Sequence, residues 1–160
     1  MKLYGSYQNR LEENRQFVDE IKVGTGVTEY SYTDRDAWEV IAVKDQKHVT
    51  IRRLDAKRID DNGPSECQEY EYISNEKNYP VDVVKRGKYW YTVAEMTAED
   101  LAKYVEIMGK AGFLSQEDMS FVLWAANFDH DKVRKNGKQT KYHKMNISFG
   151  KAERYYDYSF

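Results

Sequence analysis
Cysteine is all but missing from this 160-residue chain: Cys67 stands alone. One cysteine excludes an internal disulfide and any zinc site needing two or more thiolates, and it fits a reducing cytosol. Long apolar runs are missing too. The N-terminus MKLYGSYQNRLEENRQ has no apolar signal core, and no stretch approaches a membrane-spanning length, so neither export nor a membrane partner is expected. Charge of one sign is also scarce. A formal net charge of −2 and a pI near 6.0 make the whole molecule a poor magnet for nucleic acid or anionic lipid, so any such role must be local. There is no internal repeat and no low-complexity segment.

What is present is enough for one ordinary domain. With 41% hydrophobic, 14% aromatic and 32% charged residues the chain is too apolar to be disordered and should fold unaided under a heavily charged surface. The expected class is α+β. Residues 7–21 read as a short amphipathic helix or an ordered lead-in. From Val23 to Val93, Val, Ile, Thr, Tyr and Trp alternate with charges, which predicts strands at 27–32, 38–44, 49–54, 69–74, 81–85 and 89–93. Polar turns at 33–36 and 44–47, the loop Asp60-Asp61-Asn62-Gly63-Pro64 and a tight hairpin at Arg86-Gly87-Lys88 separate them.

The period then becomes helical. Thr97 with Asp100 predicts a helix over Ala98–Met108 with a stripe of Leu101, Tyr104, Val105 and Met108, stopped by Gly109 or Gly112. Ser115 repeats the start signal, with Met119, Val122, Leu123 and Ala126 as the second stripe, giving an antiparallel helix pair over 97–127. Residues 128–160 read as a polar hairpin turning at Asn136-Gly137, a strand from Tyr142 to Phe149, and an aromatic end. In that end Tyr155, Tyr156, Tyr158 and Phe160 should be at least partly packed. The domain organisation is thus one domain over 1–160: a β-rich module (22–93), the helix pair and the basic hairpin.

Charge is unevenly spread. Residues 61–128 carry twelve acids against six bases, whereas 129–160 carry eight bases against four acids. Lys132, Arg134, Lys135, Lys138, Lys141 and Lys144 are therefore the candidate nucleic-acid contacts, with Tyr142 and His143 beside them. The alternative is a solvated hairpin that neutralises the acidic helix pair.

Signals for chemistry are mostly negative. His48, His130 and His143, with Asp129 and Asp131 near the latter two, lack metal-ligand spacing, and Val133 stands where a calcium loop needs its third ligand. No metal or other cofactor is expected. Gly24-Thr25-Gly26 has no third glycine and reads as a turn into the first strand. Glu66 and Glu69 beside Cys67 would raise its thiol pKa, so an inert, buried or half-buried cysteine is expected rather than a nucleophile. No Gly-x-Ser-x-Gly elbow exists, and the carboxylates are scattered among lysines. No catalytic residue is assigned.

Fourteen tyrosines are the most unusual number in the composition. Tyr30 and Tyr32, Tyr70 and Tyr72, and Tyr89 and Tyr91 sit at alternate positions, so each pair shares a strand face. Either they pack the sheet, or these six form a protein-recognition surface. Trp38, Trp90 and Trp124 are expected core anchors.

The segments GTGVTEYSYTDRDAWEVIAVKDQKHVTIRR and ISNEKNYPVDVVKRGKYWYTV carry a Gly-x-Gly-x-Thr entry, a Thr-Asp-Arg-x-Ala step and a Lys-Arg-Gly-Lys-aromatic hairpin. On these features residues 22–93 resemble small uncharacterised proteins encoded by phages and prophages of Gram-positive bacteria, and the NISFG-to-YYDYSF ending is similar as well. The resemblance implies a small curved β-sheet or barrel of the Src-homology or Tudor type, a shape that serves interaction modules. It also implies a non-catalytic binding protein in the host cytosol, an anti-CRISPR-like inhibitor of a host defence effector. Its partner would be a host protein or nucleoprotein complex, and contact with nucleic acid is the alternative.

Overall fold
A computed structural model describes residues 9–65 and 67–158. Residues 7 and 8 of the expected lead-in, Glu66 beside Cys67, and Phe160 lie outside the described residues. The strands are β1 (Gly26–Tyr30), β2 (Arg35–Asp45), β3 (His48–Arg53), β4 (Asp55–Arg58), β5 (Tyr70–Ile73), β6 (Pro80–Arg86), β7 (Tyr89–Thr97), β8 (Lys138–Met145) and β9 (Ile147–Phe149). The helices are α1 (Ala98–Met108), α2 (Gln116–Ala125) and α3 (His130–Asn136). The chain is α+β, with a curved antiparallel sheet, then a helix pair, then a C-terminal pair of strands. It divides into two compact units, one comprising the residues up to Thr92 together with those from His143, the other Val93–Tyr142.

The first, the sheet unit, holds most of a seven-stranded sheet of order β8-β7-β6-β3-β2-β1-β9, and β4 pairs with β5 in a separate hairpin. Six strand-to-strand steps of about 4.8 Å would hold the two ends of a flat sheet roughly 29 Å apart. Only Asn146 joins β8 to β9, and one residue spans no more than about 7 Å. The sheet therefore curls back on itself like a barrel, and two register shifts between β2 and β3 help it bend. Tyr30 N–H donates to the Asn146 carbonyl at 2.8 Å, carrying the β1–β9 pairing one residue into that junction.

Alternation explains the interior. Val27, Val40, Val49, Ile51, Val83, Trp90, Ile147 and Phe149 point inward, joined by Ile21 and Met145, with the Trp90 and Phe149 rings 4.6 Å apart. After a helical turn at residues 9–12 the lead-in runs extended along β9, where Phe17 N–H donates to Phe149 O at 2.8 Å and Phe149 N–H to Arg15 O at 3.0 Å. That covers an otherwise open edge. The C-terminal segment straps the other side: Gly150 N–H donates to Gly26 O, and Arg35 and Tyr155 exchange both backbone bonds. A Cβ on Gly26 would meet Ala152 N at 2.5 Å, so the strap needs glycine there.

In the helix unit, Thr97 and Asp100 form the expected capping box on α1, and Ser115 caps α2. Lys103 Nζ lies over the Phe121 ring at 4.4 Å and Lys110 Nζ sits 3.7 Å from Asp118, a pairing that runs α1 and α2 antiparallel. The core is Met96, Leu101, Ala125, Phe128 and Val133.

Several expectations need correction. Asn136-Gly137 is not a hairpin turn. It ends α3, where Gly137 takes the left-handed conformation (φ 81°) that closes a helix. The strand expected over 142–149 begins four residues earlier and breaks at Asn146. Strand β4 was not foreseen, because Asp55-Ala56-Lys57-Arg58 has no apolar alternation and forms by pairing with β5. Cys67 is exposed rather than buried, since it lies in the polar loop before β5, where Ser65 and Asn62 side chains bond its backbone.

Candidate contact surfaces
The six tyrosines fare differently. Tyr30 is buried, 5% exposed, donating to Glu12 Oε2 at 3.2 Å with Ser148 Oγ 2.7 Å away. Burial pushes its phenol up to about 12, so it is a neutral donor at physiological pH. Tyr32, two residues on, lies past the end of β1 and is 66% exposed. Tyr70 and Tyr72 share the β5 face with ring centroids 6.4 Å apart, both half-buried. Their hydroxyls are engaged: Tyr70 donates to Gln68 Oε1 at 2.7 Å, and Tyr72 accepts from Arg154 N–H at 2.8 Å. Tyr89 and Tyr91 share a face of β7, and Lys88 and Lys144 place their ammonium groups 5.6 and 4.0 Å from the Tyr89 ring centroid.

Polar contacts around Tyr30 and β5 tie chain segments together. Arg35 reaches Asn9 Oδ1 and Glu153 Oε2, both at 2.9 Å, and lies 3.3 Å from Glu12. Arg58 clamps Asp60 with two bonds of 2.8 and 2.9 Å, and the Glu69 and Asn62 N–H groups add to it. The Arg58 guanidinium, with these N–H groups, holds the Asp60 carboxyl far below the usual range. A cleft of about 520 Å³ includes Asp36, Arg53, Asp55 and Arg154 in its lining. Its charges are mutually engaged: Asp36 pairs with Arg53 and Arg154 at 2.7 Å each, and Asp55 accepts from Asn75 and Asn78. Gly24-Thr25-Gly26 is a turn, with Thr25 N–H donating to Lys22 O at 3.0 Å.

Each histidine has its own surroundings. His48 lies 2.8 Å from Asp45, His130 bonds the Ala125 carbonyl and meets the Tyr104 ring, and His143 is exposed on β8. Among the described residues no three His, Cys, Asp or Glu side chains gather where they could hold a metal ion. No helix among them is long and apolar enough to cross a membrane.

The basic segment is split by its secondary structure. Lys132, Arg134 and Lys135 ride on α3, while Lys138, Lys141 and Lys144 ride on β8. Arg134 bonds Asp131 at 2.8 Å, Lys138 is 3.6 Å from Glu95, and Lys141 bonds the Asn127 carbonyl and lies over the Phe128 ring. Half of the six thus have partners of their own within the helix unit.

Sequence reasoning missed the apolar surface of that unit. The stripes expected to be buried are largely outside: Val105, Met108, Met119 and Leu123 are all more than half exposed, and Phe113 is fully exposed. Aromatics took the interior instead, with Phe121, Trp124 and Phe128 in a chain of ring contacts at 5.5 and 4.9 Å and Ile107 buried on α1. Helix α2 is apolar on both faces, so its periodicity did not say which face would turn inward. The Phe-Phe-Trp composition was the available signal, since larger rings bury more surface. The chain matches no family model, no curated protein and no solved structure.

Proposed function
We propose that this chain is a non-catalytic binding protein that acts by protein–protein contact through its helix pair. One observation carries the reading: between Val105 and Leu123 five large apolar side chains are exposed, Phe113 completely. Monomeric proteins seldom leave so much apolar surface concentrated in water without a use for it. Carboxylates at Glu106 and Glu117 stand among these residues, which would favour a partner with apolar pockets and basic edges. The resemblance to phage-encoded proteins suggests the target class, a host defence effector such as a CRISPR nucleoprotein complex in the bacterial cytosol, bound and blocked rather than chemically altered.

The test is capture from bacterial lysate with quantitative proteomics, comparing the native chain with a Phe113→Asp, Leu123→Asp variant. A stoichiometric protein retained by the native chain and reduced at least about tenfold by the variant supports the reading, since loss of two anchors of this size removes roughly 2–4 kcal/mol. Retention of no such protein, or equal retention by both chains, overturns it.

A further inference from the structure
In a chain of nearly balanced charge, two neighbouring stretches of the sheet hold no acidic residue. Within the sheet unit, residues 83–92 hold Lys85, Arg86 and Lys88, and residues 143–152 hold Lys144 and Lys151, with no Asp or Glu in either stretch. Strands β6, β7 and β8 are adjacent in the sheet, so these stretches lie side by side. Register pairing sets the faces. Arg86 stands opposite Tyr89 and Val84 opposite Tyr91, while Trp90 turns to the other face and enters the core. Tyr89, Tyr91 and Arg86 therefore share the outer face, and the exposed Lys144 reaches it, with its Nζ 4.0 Å from the Tyr89 centroid. Lys88, in the turn, lies 5.6 Å from the same ring. The nearby carboxylates have local partners: Asp45 takes His48 and the Lys47 N–H, and Asp82, further along the same face of β6, accepts from Thr50 Oγ1 at 2.6 Å.

Independently of the protein-contact reading, we infer that the outer face of β6–β7 and the adjoining end of β8 binds single-stranded nucleic acid, with Arg86, Lys88 and Lys144 meeting phosphates and Tyr89 and Tyr91 meeting bases. Two rings two residues apart on one strand offer consecutive stacking surfaces, and cations beside them follow a backbone. The existing lysine–ring contacts do not oppose this. An exposed cation–π pair is worth about 0.5–1 kcal/mol, little enough for the ammonium to turn to a phosphate and free the ring for a base. A duplex keeps its bases stacked inside, where these rings cannot reach them. The set differs from the six basic residues suggested by the sequence, sharing only Lys144.

The experiment is fluorescence anisotropy of labelled oligothymidylate with the full chain over a salt series. Binding at low salt that falls steeply with added salt is expected. Lys88→Gln with Lys144→Gln should weaken it about tenfold and lower the log–log salt slope by about 1.4, near 0.7 for each phosphate no longer neutralised. Tyr89→Ala with Tyr91→Ala should weaken it about tenfold or more with the slope unchanged, because stacking releases no counterions. Circular dichroism and melting midpoints identify variants that still fold, and Tyr89→Phe, which keeps the ring, should retain binding. No binding at low salt overturns the inference. So does an affinity the lysine pair does not alter, equal affinity for a duplex, or equally effective competition by polyglutamate, which would make charge alone responsible.

Discussion
The two units bury different shares of their apolar side chains. In the sheet unit ten buried side chains fill the curl from all sides, the lead-in covers β9, and the C-terminal strap ties the turn before β2. In the helix unit, less than half as long, a five-residue core coexists with five exposed Val, Met, Phe or Leu side chains, as many as Leu11, Phe17, Val23, Ile59 and Ile73 amount to in the sheet unit. The hydrophobic effect that closes the first unit is thus satisfied less completely, residue for residue, in the second. Stability should therefore be concentrated in the sheet, and surface adhesion in the helices.

The largest expected effect tests the first half of that contrast. Trp90 is 1% exposed and packed on Phe149, so Trp90→Ala should cost about 3–5 kcal/mol by urea denaturation, a large share of a domain's stability. Val133→Ala in the helix core removes two methyl groups' worth of packing and should cost about 1–2 kcal/mol. A reversed order would show that the helix unit, not the sheet, dominates the stability.

A second effect belongs to the sheet unit alone. The Tyr30 phenol is raised to about 12 by burial, against an ordinary value near 10. Its neutral form is the one the fold holds, so its contribution is intact below pH 10 and is lost as pH rises through 12. The size is about 2 kcal/mol, somewhat less than the full shift implies. Tyr30→Phe should flatten the alkaline limb of stability between pH 10 and 12, while leaving Glu12 and Ser148 without their phenol partner. The half-buried Tyr70 and Tyr72, also raised by burial, contribute in the same direction. An unchanged limb in Tyr30→Phe would remove the buried phenol from the account of the sheet's stability.

Legibility followed how local each cause was. Capping is decided within four residues, so Thr97, Asp100 and Ser115 revealed both helix starts. The strands around Val49, Ile51, Val81 and Val83 alternate clearly enough to be read directly. Strand β4 and helix α3 could not be read this way. The first has no apolar side chain larger than Ala56, and the second has the single buried Val133, so tertiary pairing decides both. At the surfaces, the tyrosine pairing by strand face was legible at Tyr89 and Tyr91. What each tyrosine touches was not, because Tyr72 meets Arg154 and Tyr30 meets Ser148 across more than eighty residues of chain. The exposed helix faces were illegible for another reason: two apolar faces competed for one core.

The smallest effect gives the sharpest contrast between the units. Asp129 caps α3 with its side chain, accepting from Asp131 N–H at 3.1 Å and Lys132 N–H at 3.4 Å, in a helix of seven residues anchored by Val133. Asp129→Ala leaves those donors to water and should cost about 1 kcal/mol. A helix this short has little else to hold its first turn. The loss should therefore appear as faster amide hydrogen exchange over 130–136, with exchange in β1–β3 unchanged, because those amides open only with the sheet. Acceleration spread equally through the strands would mean that the two units open as one, and the division between a stable sheet and a looser helix surface would fall.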